Sequence, residues 1–243
     1  MLEGLYSAAA GMAAQQQQLD AVGNDLANLS TTGYKTERVA FSDLLYNKFD
    51  QAGTETTTGA GASAQTIGSS RAQGSIRETG DPLDLAIEGE GFFQVTRSNG
   101  QVALTRDGSF GVDASGTLVN SSGDRLSPPI KLPAGVSPSE VRISSDGTVT
   151  VGEKKLGQVK LFKVAAPDRL LADGVSEFST TAASGSPTPL ATSSIKQGAL
   201  EMSNVDMAKE MSLMVSTQRA FQMSSTAIQT ESQMMSIANQ LKP

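Results

Sequence analysis

Both ends of this chain repeat apolar residues every seven positions, and the middle does not. Residues 1–29 contain no proline; Leu5, Met12, Leu19 and Leu26 recur at seven-residue spacing, with Ala8, Gln15, Val22 and Leu29 three positions behind them. The spacing predicts an amphipathic helix with an a/d seam over about four heptads. Gly4, Gly11 and Gly23 each weaken such a helix by about 1 kcal/mol relative to Ala, so the segment needs partners to hold its form. Gly33, after Ser30-Thr31-Thr32, reads as the helix stop, because glycine tolerates the left-handed cap conformation.

At the other end, Ser203-Asn204-Val205-Asp206 reads as a capping box opening a helix that runs without Pro or Gly to about Leu241. Met207, Met214, Phe221, Ile228 and Met235 form one row at seven-residue spacing, and Leu213, Ala220, Ala227, Met234 and Leu241 form a second beside it. Such a helix would be roughly 55–60 Å long, more than a compact domain of this size can bury. The plain arrangement is a hairpin in which the two ends cover each other. Yet the last helix outruns the first, and its double row is wider than one partner would cover. Seven Met between Met202 and Met235 add adaptable apolar surface. Packing against other copies is therefore expected through Leu5, Met12, Leu19, Val22 and Leu26 of the first helix, and Met207, Met214, Phe221, Ile228 and Met235 of the last.

Between the ends the pattern changes. Residues 53–75 are rich in Gly, Ser and Thr and read as an extended connector. Short alternating runs follow at 83–87, 91–96, 102–106, 109–113, 117–120, 141–144, 148–152 and 157–164, separated by turns such as Ser98-Asn99-Gly100 and Ser145-Asp146-Gly147. This is the spacing of an all-β domain. The fold class is α+β: a helix at 1–33, an extended connector at 34–80, a β-rich domain at 81–178, a second connector at 179–202 and a helix at 203–243. The two helices are expected to form a coiled-coil-like stem.

Composition removes most chemistry. The chain has no Cys, no His and no Trp, so disulfides, thiolate or imidazole metal sites and the usual neutral-pH bases are missing. No catalytic residue, cofactor, metal or small-molecule substrate is expected. A formal charge of −6 lacks the basic stripe that nucleic acid requires. No Lys or Arg precedes Lys35, so the flank of a secretory signal peptide is missing too. The remaining motifs are weak. Ser193-Ser194-Ile195-Lys196 has the Ser-x-x-Lys spacing without its companion motifs. Gly89-Glu90-Gly91 starts a dinucleotide fingerprint that Gln94 breaks, and it reads as a turn. The close carboxylates Glu88 with Glu90 and Asp81 with Asp84 read as turn residues, and a carboxylate enzyme is only a remote alternative. The sequons at Asn28 and Asn120 read as ordinary polar residues.

Four stretches, in order along the chain, resemble the bacterial flagellar rod and hook proteins. Asn24-Asp25-Leu26-Ala27-Asn28-Leu29-Ser30-Thr31-Thr32-Gly33-Tyr34-Lys35 resembles their N-terminal signature, with Asp25 where a second Asn is usual. Pro82-Leu83-Asp84-Leu85-Ala86-Ile87-Glu88-Gly89-Glu90-Gly91-Phe92-Phe93-Gln94-Val95 resembles their central motif, and Thr105-Arg106-Asp107-Gly108-Ser109-Phe110 the strand pair after it. Ser203-Asn204-Val205-Asp206 with Gln218-Arg219-Ala220-Phe221 is similar to their C-terminal helix, although Gln222-Met223-Ser224-Ser225 departs from the usual run. The signature positions are Asn24, Leu26, Ala27, Asn28, Thr32, Gly33, Lys35, Ser203, Asn204, Val205, Gln218 and Arg219.

The resemblance implies a structural, axial protein of the flagellar basal body, outside the cytoplasmic membrane. It implies that the terminal helices form an inner tube and the β domain an outer wall. Subunits of this kind polymerise into the hollow drive shaft that carries motor torque to the hook, and leave the cell through the flagellar type III export apparatus. Other copies, other rod proteins, the hook protein, and ring proteins where an outer membrane exists are the partners it implies. The short β region suits a rod subunit better than a hook subunit. Asp43-Leu44-Leu45-Tyr46 looks more like the distal than the proximal rod members.

Overall fold

A computed structural model describes residues 2–44, 47–51, 54–59, 61–174, 176–190 and 192–240. It has a helix at each end, α1 (Leu2–Ala27) and α2 (Met207–Gln240), with strands between them. The chain divides into two compact units. One comprises residues 1–27, 37–67 and 206–243; the other comprises 28–36 and 68–205. No helix among the described residues is long and apolar enough to cross a membrane.

In the helical unit, three contacts set the sense of the helix pair. Glu210 feels the charge of Asp25, Ser224 Oγ lies 3.4 Å from Gln15 Oε1, and a Cβ on Gly4 would meet the Glu231 carboxylate. Positions fall along α1 as they rise along α2, so the helices run antiparallel. Strand Glu37–Asp43 packs on α1 and pairs with Ala62–Ser69, and Asn47–Gln51 forms an antiparallel hairpin with Thr54–Thr58.

In the β unit, a nine-stranded antiparallel sheet centres on Phe92–Thr96, which is bonded to Val102–Thr105, Arg125–Leu126 and Leu161–Lys163. A meander of Val141–Ile143, Thr148–Val151 and Lys154–Gln158 packs into the same core. Alternation does the sorting: Phe93 and Val95 point inward from one strand, and Val141 and Ile143 from another. Phe93 is fully buried and meets Phe110 edge-to-face at 5.3 Å. A smaller cluster of Leu104, Val164, Leu170 and Phe178 lies beside it.

Most expected strands lie within two residues of the observed ones. The run 157–164 differs: it is cut into Lys154–Gln158 and Leu161–Lys163, which belong to different sheets. The Val159 amide leaves its neighbours to bond Gly147 O at 2.8 Å, and this crossing divides the run. The stretches expected as connectors, 34–80 and 179–202, are extended, but as paired strands. Ala199–Glu201 pairs with Ile76–Glu78, and Ser194–Gln197 with Leu85–Glu88. Thr-rich sequence suits a ladder as well as a linker, and pairing partners far along the chain decide which forms.

Candidate functional site

The two signature segments, distant in sequence, meet inside the β unit. Lys35 Nζ donates to Glu201 Oε1 at 2.6 Å, and Arg106 Nη1 to Glu201 Oε2 at 2.8 Å. The Gly74 amide adds a third donor to Oε1 at 2.9 Å. The Glu201 side chain is fully buried. A carboxylate taken out of water needs charged, well-aligned partners, and this one has two cations and an amide. Burial pushes the Lys35 ammonium below its usual range, against the opposing hydrogen bond and charge of Glu201. Lys35 also donates to Ala72 O at 2.8 Å. Arg106 reaches on to Gly89 O at 2.8 Å and lies 5.6 Å from the Phe92 ring centre; its buried Nε has no hydrogen-bond partner among the described residues.

Other signature residues complete this clamp. Asn204 accepts the Thr36 amide at 2.8 Å and donates to Ala72 O at 2.9 Å, while Gly33 N–H donates to Glu201 O at 2.8 Å. Thr32 Oγ1 donates to Asp107 Oδ1 at 2.9 Å. Gly33 has φ +67°, and a Cβ there would stand 2.4 Å from the Asp107 nitrogen. Its glycine is therefore needed for conformation and for close approach. It is not the helix stop, since α1 already ends at Ala27. Asn28 accepts from Thr31 Oγ1 at 3.1 Å in the turn between them.

The capping box also needs correction. Asp206, not Ser203, caps α2, accepting the Ala208 and Lys209 amides at 3.0 and 3.3 Å. Ser203 is buried and accepts the Val205 amide at 3.3 Å, so its hydroxyl serves the clamp's own turn. An Asx side chain directly before the first helical residue is the shorter reach to the free amides.

The helical unit places the residues expected at an assembly interface differently from one another. On α1, Ala14, Ala21, Val22 and Asp25 are the buried positions, while Leu5, Met12, Leu19 and Leu26 are half-buried beside them. On α2, Glu210 and Thr217 are buried, and Met214, Phe221, Ile228 and Met235 are half-buried; Met207 is exposed. The seam within the chain thus buries Ala14, Ala21, Val22, Thr217 and the carboxylates of Asp25 and Glu210, and Val22 alone of the expected interface residues is among them. Ala27, Gln218 and Arg219 are exposed, Asn24 reaches Glu37 Oε1 at 3.2 Å, and Val205 is buried. Asp25 accepts the Glu37 amide at 3.1 Å. Burial pushes the Glu210 carboxyl up, and the Asp25 charge adds to that. Leu241 lies outside the described residues.

The weak motifs resolve into turns and pairs. Ser193 Oγ donates to Glu90 O at 2.6 Å, whereas Lys196 pairs with Glu78 at 2.7 Å. Glu88 accepts from Ser194 Oγ and Asp81 from the Leu83 amide. No group of three His, Cys, Asp or Glu among the described residues could hold a metal ion. A cavity of about 530 Å³ lies beside the clamp, with Phe92, Leu170 and Phe178 on its apolar wall and Lys163 and Arg71 among its cations. Arg71 is ion-paired with Asp168.

Glu201 escaped the sequence reading. Arg106 lies within the motif Thr105-Arg106-Asp107-Gly108-Ser109-Phe110, but nothing local marks which carboxylate it meets. A lone acid in an otherwise apolar strand, Ala199-Leu200-Glu201, was the available signal.

Three family models match the chain: "Flagella basal body rod protein" over residues 5–35, "Flagellar hook protein FlgE/F/G D1 domain" over 86–151, and "Flagellar basal body rod FlgEFG protein C-terminal" over 196–241. The chain is 37% identical to the flagellar basal-body rod protein FlgG of Borreliella burgdorferi, covering 100% of this chain and 99% of that protein. It is 37% identical to FlgG of Buchnera aphidicola, over 99% and 100%, and 34% identical to FlgG of Bacillus subtilis, over 97% of each.

Proposed function

The chain belongs to the family of flagellar basal-body rod proteins, and from that premise we propose that it polymerises through its terminal helices into a hollow, torque-bearing shaft. It is a structural subunit of the flagellar basal body. One observation carries the proposed mechanism: the helical unit leaves large apolar side chains in water, Met223 at 68% exposure among them, outside the seam that buries Ala14, Ala21 and Val22. Monomers rarely leave such surface exposed without a partner for it. The helices then form the inner stem and the β unit the outer wall. Clamping of 32–36 and 201–204 on one spot of the β unit means that the chain enters and leaves that unit side by side. This suits a subunit whose two ends act together.

Export as an unfolded chain fits the lack of Cys, since no disulfide can form before passage. The partners in this reading are other copies, neighbouring rod proteins, the hook protein, ring proteins where an outer membrane exists, and the export apparatus. The reading includes no enzymatic role. The expected signal for a distal position, Asp43 to Tyr46, lies partly outside the described residues, and a distal place is proposed on the resemblance alone. Electron microscopy of basal bodies tests the proposal. A strain lacking its own rod gene is complemented with this chain or with its Phe221→Asp variant. Complete rods with the parent chain and truncated axes with the variant are expected; full rods and motility with the variant would sink the helical interface.

A further inference from the structure

The cavity beside the clamp carries chemistry that the clamp does not use. It lies wholly within the β unit, and its volume of about 530 Å³ is that of a site enclosing a small organic group. Phe92 and Phe178 form part of its wall, their rings meeting edge-on at 5.9 Å, with Leu170 and Pro167 beside them. That wall suits an apolar or aromatic body.

Charge and hydrogen bonding say what the body must carry. Lys35, Arg71, Arg106 and Lys163 line the cavity. Lys35 and Arg106 share one carboxylate, Glu201, and Arg71 has Asp168. Lys163 is exposed and makes no ion pair among the described residues. Glu90 adds a carboxylate to the wall, so four cations face three carboxylates and one positive charge is left over. Arg106 is only 6% exposed, and its two outer nitrogens are engaged by Glu201 and by Gly89 O. Its Nε–H has no acceptor among the described residues. A buried donor on a charged group is costly to leave unmet. We propose that the cavity binds a monocarboxylate joined to an apolar body, with the carboxylate on Arg106 Nε–H and the body against Phe92, Phe178 and Leu170. A dianion would exceed the single spare charge and meet Glu90, and a neutral apolar molecule would leave the Arg106 donor unmet. Two sources share this chemistry: the end of a polypeptide whose last residue is apolar, and a free organic acid.

The chain has no Trp, so the fluorescence of a naphthyl probe is read against a nearly dark background. Dilute full-length protein titrated with naphthylacetate should show saturable binding. N-acetylphenylalanine should displace the probe at a concentration about tenfold lower than N-acetylphenylalaninamide, which keeps the body and lacks the charge. In isotope-labelled protein the Arg106 Nε–H resonance should move with the acid and stay in place with the amide. Lys163→Glu should weaken the acid about threefold, and Ala165→Phe, at an exposed position lining the cavity, should abolish binding with the circular dichroism unchanged. Comparing acetyl-Gly-Gly-Phe with phenylpropionate separates the sources: tighter binding of the tripeptide assigns a chain end, tighter binding of phenylpropionate a free acid, and either supports the site. No saturable binding up to about 5 mM, equal displacement by acid and amide, or an unmoved Arg106 signal would each overturn the proposal. None of these measurements involves polymerisation, so their failure leaves the rod-subunit reading standing.

Discussion

The β unit and the helical unit are stabilised in opposite ways. The β unit buries Leu85, Ile87, Phe93, Val95 and Leu126 almost completely and holds Glu201 in a buried charge clamp with Lys35 and Arg106. The helical unit buries Ala14, Ala21, Val22 and Thr217 and leaves Met207, Met211, Met223 and Met234 exposed. At roughly 25 cal/mol per Å² of apolar area removed from water, the fully buried large side chains give the β unit the greater gain. In the proposed polymer another copy would supply apolar area to the helical unit.

Glu201→Ala should disturb the β unit most. It leaves Lys35 and Arg106 buried without their counter-charge, and a loss of about 3–5 kcal/mol in the denaturant unfolding of the β unit is expected. A loss under 1 kcal/mol would show the clamp to be incidental. Next, Met214→Asp places a charge on the flank of the helical seam. It should lower helical ellipticity while leaving the β unit's melting temperature unchanged. If both units melted earlier together, the contrast between them would be wrong.

Asp206→Ala removes the cap of α2 and should destabilise the helical unit by about 1 kcal/mol, whereas Ser203→Ala should act on the β unit instead. Proteolysis at the start of α2 distinguishes the two. The smallest effect is a pH dependence. Because the Glu210 carboxyl is raised in the folded pair, that pair binds a proton more tightly than the unfolded chain does. The stability of the helical unit is therefore greatest below the ordinary carboxylate range and falls as pH rises through the raised value. Glu210→Gln removes the fall. The variant should melt higher than the parent at neutral pH and equally at acidic pH, and a lower melting point at neutral pH would reverse the sign.

Much of this was legible in the residues. Turn signals such as Ser145-Asp146-Gly147 marked strand ends correctly, because Gly147 takes φ +81° where a side chain would be strained. The alternation of the run 91–96 is kept in the strand, where Phe93 and Val95 share the inward face. The heptad rows were real, yet seven-residue spacing fixes only which residues share a column. It does not say which column turns inward, and on α1 the column through Ala14 and Ala21 is buried together with Val22 of the expected row. Small residues win there because they let the helices come close, while Leu5, Met12 and Leu19 are left at the flank.

By itself, then, the sequence determined the two terminal helices, the β-rich middle and the chemistry that is missing, since periodicity, turn residues and composition act over a few neighbouring positions. Only the tertiary structure decided that Lys35, Arg106, Glu201 and Asn204 form one clamp. It alone also decided that Gly33 is a contact point and not a helix stop, and that Met214 and Met235 of α2 are half-buried while Met211 and Met223 are exposed. Those choices depend on partners as far as 209 positions apart, as Gln15 and Ser224 are, and no local pattern carries that information.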